Sequence, residues 1–203
     1  MRAYVGIYSL WVSKLVGEEG LVIAFEPNPL AYLWLTRNIT LNKAKNIIAL
    51  PYGLRDKETW AILDVAKENI GASSLILNHL TNVPSGRYTL INQVKVPLLT
   101  LDFIFDKCKS FLNKDLDKVD LVKIDVGNYE MNVLRGLEKS LSKDLVKRFV
   151  IEVHKDQIKT CDLISYLRSY SRRLYKITKF GSVNNNIIVS DSISYIDQCF
   201  FVL

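Results

Sequence analysis

The sequence has few of the residues that mark secreted, metal-binding or membrane-spanning proteins. Of 203 residues only three are cysteine and two are histidine. Cys108, Cys161 and Cys199 are widely spaced and form no ligand motif, which argues against a disulfide framework and against a zinc site. Such cysteine usage favours a reducing compartment, so we expect the cytoplasm. No apolar run approaches the roughly 20 residues of a membrane-spanning helix, and the first residues lack the layout of a secretory signal.

Positive charge is concentrated in one part of the chain. The formal net charge is +6, and residues 143–179 contain ten Lys or Arg against four Asp or Glu, which by itself gives +6. A basic surface could attract phosphates or nucleic acid, but a solvated helix face is the simpler interpretation. Because no aromatic-interleaved basic stripe of the RNA-binding kind is evident, we expect no nucleic-acid partner.

The pattern of apolar residues predicts one α/β domain covering residues 1–203. Hydrophobic residues make up 49% and charged residues 24% of the chain, a composition typical of globular proteins. Strands that alternate with helices indicate a doubly wound, mostly parallel sheet. Only turn signals separate the last two strands, so we expect the final strand to be antiparallel. An insertion over about residues 60–99 interrupts the alternation.

The predicted elements follow from the period of the apolar residues and from capping signals. Helices are expected over residues 8–16, 29–42, 129–141 and 161–174, and a short helix begins after Thr100, a suitable cap. Strands are expected over residues 22–25, 46–51, 60–65, 94–99, 119–126, 149–153, 175–178 and 199–203, and a turn over 181–186.

The most informative stretch lies where the strand at residues 22–25 ends in Glu26. Asn28 is a suitable cap for the following helix, and Pro29 suits its first turn. In doubly wound folds an acidic residue at this strand end commonly accepts hydrogen bonds from the two ribose hydroxyls of a nucleotide cofactor. An ordinary strand-to-helix turn with a solvated Glu would give the same local sequence, so this stretch alone leaves both interpretations open.

Several short motifs occur in one order along residues 5–155, and together they resemble the FkbM family of S-adenosylmethionine-dependent methyltransferases. They are Val5-Gly6-Ile7-Tyr8-Ser9-Leu10, Val22-Ile23-Ala24-Phe25-Glu26-Pro27-Asn28-Pro29, Asn38 with Leu41-Asn42, Gly71-Ala72-Ser73-Ser74-Leu75, Thr100-Leu101-Asp102, Lys123-Ile124-Asp125-Val126 with Tyr129-Glu130, and Ile151-Glu152-Val153-His154. The resemblance implies the seven-stranded class I methyltransferase fold, which is Rossmann-like. It also implies transfer of a methyl group to an oxygen, often a hydroxyl of a sugar or a polyketide-like small molecule.

The resemblance also implies which residues contact the cofactor, S-adenosylmethionine. Glu26 matches the acid that binds the ribose, and Asn28 lies beside it in the same motif. Gly6 matches the last glycine of the loop that approaches the methionine end of the cofactor. Asp56 lies where the adenine edge is often bound.

Transfer to a hydroxyl benefits from a general base, and three residues near predicted strand ends are candidates: Asp125, Glu152 and His154. Asp125 could instead cap the following helix, and His154 could make a structural hydrogen bond in a loop. Ser73 and Ser74 could line the acceptor pocket or form a turn. We predict no metal ligand, since one Asp near a strand end does not define a cation site.

Two departures from the family pattern affect these expectations. Arg2 and Tyr4 stand where a glycine and an asparagine are expected, and the family's first strand has no counterpart in this sequence. Gly127 and Asn128 replace a glutamate and a glycine. We therefore expect the 203-residue polypeptide by itself to bind S-adenosylmethionine weakly or not at all.

Three hypotheses remain at this point. The chain is an O-methyltransferase whose first strand is encoded upstream of residue 1, or it is an inactive homologue that no longer binds the cofactor. A nicotinamide-dependent dehydrogenase would also use an acid at position 26, but the sequence lacks a Gly-x-Gly-x-x-Gly fingerprint.

Overall fold

The computed structural model describes residues 3–66, 90–111, 118–127, 129–153, 160–170, 174–177, 183–184 and 198–202. The chain divides into two compact units, Met1–Leu99 and Thr100–Leu203. The elements in chain order are α1 Ile7–Val16, β1 Val22–Phe25, α2 Pro29–Leu41, β2 Ile47–Leu50, β3 Gly53–Leu54, β4 Thr59–Ala66, β5 Leu90–Leu99, α3 Leu101–Phe111, β6 Val122–Ile124, α4 Glu130–Arg135, α5 Glu138–Ser142, β7 Phe149–Val153, α6 Thr160–Ser169, β8 Leu174–Ile177, β9 Val183–Asn184 and β10 Gln198–Val202. The expectation of a single domain stays a prediction.

The first unit contains a parallel pair of strands covered by two helices. β1 and β2 pair from Val22↔Ile47 to Phe25↔Leu50. Leu35 of α2 is fully buried against Ala24 of β1, and Leu10 of α1 packs against the same apolar cluster. The two helices therefore cover one face of the strand pair, which is the strand–helix–strand arrangement that the sequence predicts.

The predicted insertion forms a second small sheet in the same unit. β4 and β5 pair in antiparallel register, and β3 pairs with β5 in parallel. The core of this sheet consists of alternate residues from the two long strands, Leu63, Val65, Val96 and Leu98. The hairpin expected from the sequence is confirmed.

The second unit contains a mixed five-stranded sheet in the order β6-β7-β10-β8-β9. β6 and β7 are parallel, whereas β10 is antiparallel to both β7 and β8. The expected antiparallel last strand is confirmed, and it lies between two earlier strands. Val183–Asn184 form β9 against β8, where the sequence predicted only a turn.

Two predicted helices have different bounds in the structure. The helix expected over residues 129–141 is interrupted after Arg135, and a new helix, α5, begins at Glu138. The reason is tertiary, because the carboxylate of Asp102 in α3 accepts hydrogen bonds from the backbone N–H groups of Lys139 (2.9 Å) and Ser140 (3.0 Å). These are first-turn donors that a helix start leaves without an intrahelical acceptor. The helix expected over residues 161–174 ends at Ser169.

Within the described residues, β1 pairs with β2 alone and β6 pairs with β7 alone. The expectation that the family's first strand is absent from this chain stays a prediction. None of the helices in the described ranges has the length and apolar character needed to cross a membrane.

Candidate functional site

Glu26 lies at the carboxyl end of β1 and is only 3% exposed. Its Oε2 atom accepts a hydrogen bond from the backbone N–H of Tyr4 (2.8 Å), and its Oε1 atom accepts one from the N–H of Asn28 (3.0 Å). A buried carboxylate is tolerated when such bonds replace water, and bonds to an ionised acceptor are among the stronger ones. The burial rules out the alternative in which Glu26 is a solvated turn residue.

The loop from Ala3 to Gly6 lies beside this carboxylate and contacts it through Tyr4. The N–H of Ala3 donates to the carbonyl oxygen of Phe25 (2.9 Å), and the N–H of Gly6 donates to the carbonyl oxygen of Ala3 (2.9 Å). Tyr4 has a φ of 52°, in the left-handed region, which costs a non-glycine residue roughly 1–2 kcal/mol. The sequence departs from the family at Tyr4, yet the backbone N–H of this residue donates to Glu26.

Glycine is required at position 6 for two reasons. Its φ is +96°, and a Cβ atom there would lie 2.8 Å from the Cδ1 atom of Leu35. Real Cβ contacts are longer than this, so a larger residue would displace the fully buried side chain of Leu35 or move the loop. Gly6 therefore allows the backbone to approach α2 closely. Its contact with the methionine end of the cofactor stays a prediction.

A second hydrogen bond holds the loop from α2. The Nδ2 atom of Asn38 donates to the carbonyl oxygen of Val5 (2.8 Å). Asn38 is part of a motif that carries the family resemblance, but the sequence predicted no role for it. Its acceptor is a backbone atom 33 residues away. No local pattern in the sequence identifies such a partner.

Helix α1 begins directly at the end of this loop. The N–H of Leu10 donates to the carbonyl oxygen of Gly6 (2.8 Å). The cap residue makes no side-chain hydrogen bond, and the first turn of this ten-residue helix contains no acidic residue. Its backbone N–H groups and the helix dipole favour a negatively charged group at this end.

Asn28 and Asp56, both predicted cofactor residues, have partners within the protein. Asn28 is 2% exposed, and its Oδ1 atom accepts from the N–H of Leu30 (3.0 Å), so its side chain caps α2. Its N–H group meanwhile orients Glu26. The Oδ1 atom of Asp56 lies 3.1 Å from the Nε atom of Arg55. Contact of Asn28 and Asp56 with a cofactor stays a prediction.

In the second unit, two of the predicted general bases lie on one face of the sheet. Val122 and Ile124 of β6 are buried, so Lys123 and Asp125 lie on the opposite face of the strand. Ile124, the last residue of β6, pairs with Ile151, so Asp125 directly follows β6 and Glu152 directly follows Ile151 in the adjacent strand β7. The structure therefore brings these two carboxylates to the same end of adjacent strands.

Lys123 is a neighbour of this pair that sequence reasoning did not single out. Its Nζ atom lies 2.8 Å from the Oδ2 atom of Asp125, and both side chains are about one third exposed or less, at 26% and 34%. Residues two apart on a strand share a face, and that spacing was the available signal. The other predicted site residues, His154, Ser73 and Ser74, lie outside the described residues.

In the parts of the chain that the structure describes, no three of His, Cys, Asp and Glu come together in a group that could hold a metal ion. Burial raises the pKa of the Cys108 thiol, which favours its protonated form. A protonated, buried thiol is a poor nucleophile, so Cys108 is a core residue.

Comparisons with known proteins identify relatives of this chain. The methyltransferase FkbM domain matches residues 2–176. Methyltransferase sdnD of Sordaria araneosa is 26% identical over 180 residues, covering 74% of this chain and 63% of that protein. Methyltransferase 1 of Beauveria bassiana (strain ARSEF 2860) is 27% identical over 153 residues, covering 73% of this chain and 61% of that protein. The match thus spans less than two thirds of each relative's length.

A solved structure has the same fold. The crystal structure of methyltransferase FkbM from Methylobacillus flagellatus KT superimposes with a TM-score of 0.60 and 16% identity, covering 99% of this chain and 41% of that chain. The mixed α/β architecture predicted from the sequence is confirmed as the class I methyltransferase fold.

Proposed function

Since this chain belongs to the FkbM methyltransferase family, whose fold is that of the class I methyltransferases and whose cofactor is S-adenosylmethionine, we propose that it methylates a small molecule. The proposed acceptor is a hydroxyl oxygen of a sugar or of a polyketide-like compound. The proposed location is the cytoplasm, on the basis of the cysteine usage.

The observation that carries this proposal is the buried carboxylate of Glu26 at the end of β1. Two backbone N–H groups donate to this carboxylate and fix its orientation. A ribose diol donates two hydrogen bonds, which matches an acidic acceptor at a strand end of a doubly wound sheet. Glu26 would therefore bind the ribose of the cofactor.

The loop from Ala3 to Gly6 would contact the methionine end of the cofactor. Gly6 allows the backbone to come close, and α1 begins there with N–H groups directed out of its first turn. A carboxylate is the kind of group that such a helix end favours. These residues fit S-adenosylmethionine at both its ribose and its carboxylate.

S-adenosylmethionine supplies an electrophilic methyl group on a sulfonium centre. Held by Glu26 and by the start of α1, it would supply this methyl group to the acceptor oxygen, and the electron pair of the carbon–sulfur bond would stay on sulfur. The hydroxyl proton then needs an acceptor, for which the candidates are Asp125, Glu152 and His154. Of these candidates, Asp125 is in contact with Lys123.

An inactive homologue remains the second candidate, and one observation favours it. Gly127 stands where the family has a glutamate, and its φ of 57° is in the left-handed region. A glutamate would be strained in this conformation, and the glycine leaves this position without a side-chain acceptor of hydrogen bonds.

Two measurements on the 203-residue chain test the proposal. In the first, backbone amide NMR shifts are followed while S-adenosylmethionine is added up to millimolar concentration, which detects weak binding. We expect shifts at Tyr4, Gly6 and Asn28. In the second, transfer of a labelled methyl group is measured with a panel of sugars and hydroxylated small molecules. Absence of any amide shift would favour the inactive homologue, and low-micromolar affinity would contradict the expected weak binding.

A further inference from the structure

We propose that Asn38 is a positioning residue that sets the distance between the two ends of the cofactor-binding loop. The inference rests on the proposed function, because it concerns how the loop serves a ligand bound at Glu26. Asn38 would thus affect how tightly the amino-acid end of the cofactor binds, although its side chain need not contact the cofactor.

The loop is held from outside near its beginning and near its end, and one backbone bond, from the N–H of Gly6 to the carbonyl oxygen of Ala3 (2.9 Å), joins these two parts. Near its beginning, Ala3 donates to Phe25 and Tyr4 donates to Glu26. Near its end, the Nδ2 atom of Asn38 donates to the carbonyl oxygen of Val5 (2.8 Å). Glu26 therefore fixes the part of the loop beside the ribose, and Asn38 fixes the part that leads into α1.

This second part of the loop needs an external restraint. Tyr4 at 52° and Gly6 at +96° both have left-handed φ values, and Val5 lies between them. Such backbone conformations persist only where surrounding contacts hold them. The amide of Asn38 supplies such a contact from α2, which itself packs on β1 and β2.

The restraint acts on the start of α1, where the amino-acid carboxylate of the cofactor would bind. A ligand held at two points loses affinity when the distance between the points fluctuates, because binding must then order the protein as well. Removing the Asn38 amide should therefore weaken ligands that have an amino-acid end and leave ligands that end at the ribose nearly unchanged.

Two ligands separate these effects: S-adenosylhomocysteine, which has both ends, and adenosine, which has only the ribose end. For Asn38→Ala we expect about 5-fold weaker binding of S-adenosylhomocysteine, the loss of one hydrogen bond of about 1 kcal/mol. Adenosine should change by less than about 2-fold on the same argument. Asn38→Asp, which keeps the size but places an acceptor against the Val5 carbonyl, should give the same selective loss and serves if the alanine variant is unstable.

Asn42→Ala is the matched control. Asn42 lies one turn further along the chain, and its Nδ2 atom donates to the carbonyl oxygen of Asn38 without reaching the loop (2.8 Å). It should leave both affinities unchanged. Equal losses for the two ligands in Asn38→Ala, or no loss for S-adenosylhomocysteine, would overturn the inference while leaving the proposed function intact. If the unmodified chain binds neither ligand at millimolar concentration, the proposed function fails and this inference fails with it.

Discussion

Replacing Glu26 by glutamine tests the central residue of the site. Both carboxylate oxygens accept a backbone N–H, whereas a glutamine amide has one acceptor and one donor group. Either the N–H of Tyr4 or that of Asn28 then faces an NH₂ group in a site where Glu26 is 3% exposed. An unsatisfied buried donor costs about 1–3 kcal/mol, a large part of a typical net stability of about 5–15 kcal/mol. We therefore expect Glu26→Gln to lower the free energy of unfolding by about 1–3 kcal/mol.

The same substitution should remove discrimination between ligands with and without ribose hydroxyls. Each hydrogen bond to a charged group is worth about 1.5–3 kcal/mol, so losing the diol should weaken binding to the unmodified chain about 100-fold. The assay compares S-adenosylhomocysteine with its 2′,3′-dideoxy analogue by amide NMR titration. In Glu26→Gln the two ligands should bind within about 5-fold of each other, since the charged acceptor is gone.

Glu19→Gln is the matched control for this experiment. Glu19 is exposed and lies in the same unit, so the same chemical change there should alter neither stability nor the ligand ratio. If Glu26→Gln retained the full preference for the diol, the carboxylate would not contact the ribose. The assignment of Glu26 as the ribose acceptor would then be wrong, whatever the effect on stability.

Further predictions concern backbone strain, helix capping and a buried tyrosine. Gly6→Ala should lose about 1–3 kcal/mol of unfolding free energy in urea unfolding, because the positive φ is strained for alanine and the new Cβ would lie 2.8 Å from Leu35. Asp102→Ala should lose about 2 kcal/mol by uncapping α5, whereas Asp106→Ala, an exposed change on the same helix, should lose less than about 0.5 kcal/mol in urea unfolding. Burial, with a smaller contribution from a neighbouring tyrosine, raises the pKa of Tyr166 above its ordinary value. The folded chain therefore holds that proton more tightly, and its stability should fall as the pH rises above about 10. In Tyr166→Phe the free energy of unfolding should decline less between about pH 9 and pH 11 than in the unmodified chain. An equal decline would show that Tyr166 does not cause the loss of stability.

Local sequence signals were sufficient for many of the elements. The apolar run at Val22–Phe25 and the one at Phe149–Val153 form strands with the predicted bounds. The cap at Asn28 was also predicted and accepts a hydrogen bond from Leu30. Such features depend on residues within a few positions of each other, so a sequence pattern contains them.

Contacts between distant residues were not predictable in this way. The break between α4 and α5 arises because Asp102 caps Lys139 and Ser140, which lie 37 and 38 residues further along the chain. The apolar periodicity of residues 129–141 fits one continuous helix. The new helix start is selected by an acceptor that only the packing of α3 supplies.

The sequence by itself determined the fold class, the carboxylate at the end of β1 and the family to which the chain belongs, because apolar period, caps and ordered motifs are local properties of the chain. Only the tertiary structure decided what surrounds that carboxylate: the N–H of Tyr4 22 residues away and the Asn38 amide on the Val5 carbonyl. Backbone donors and acceptors are the same in every residue type. Which of them meet a given side chain therefore depends on how the chain packs.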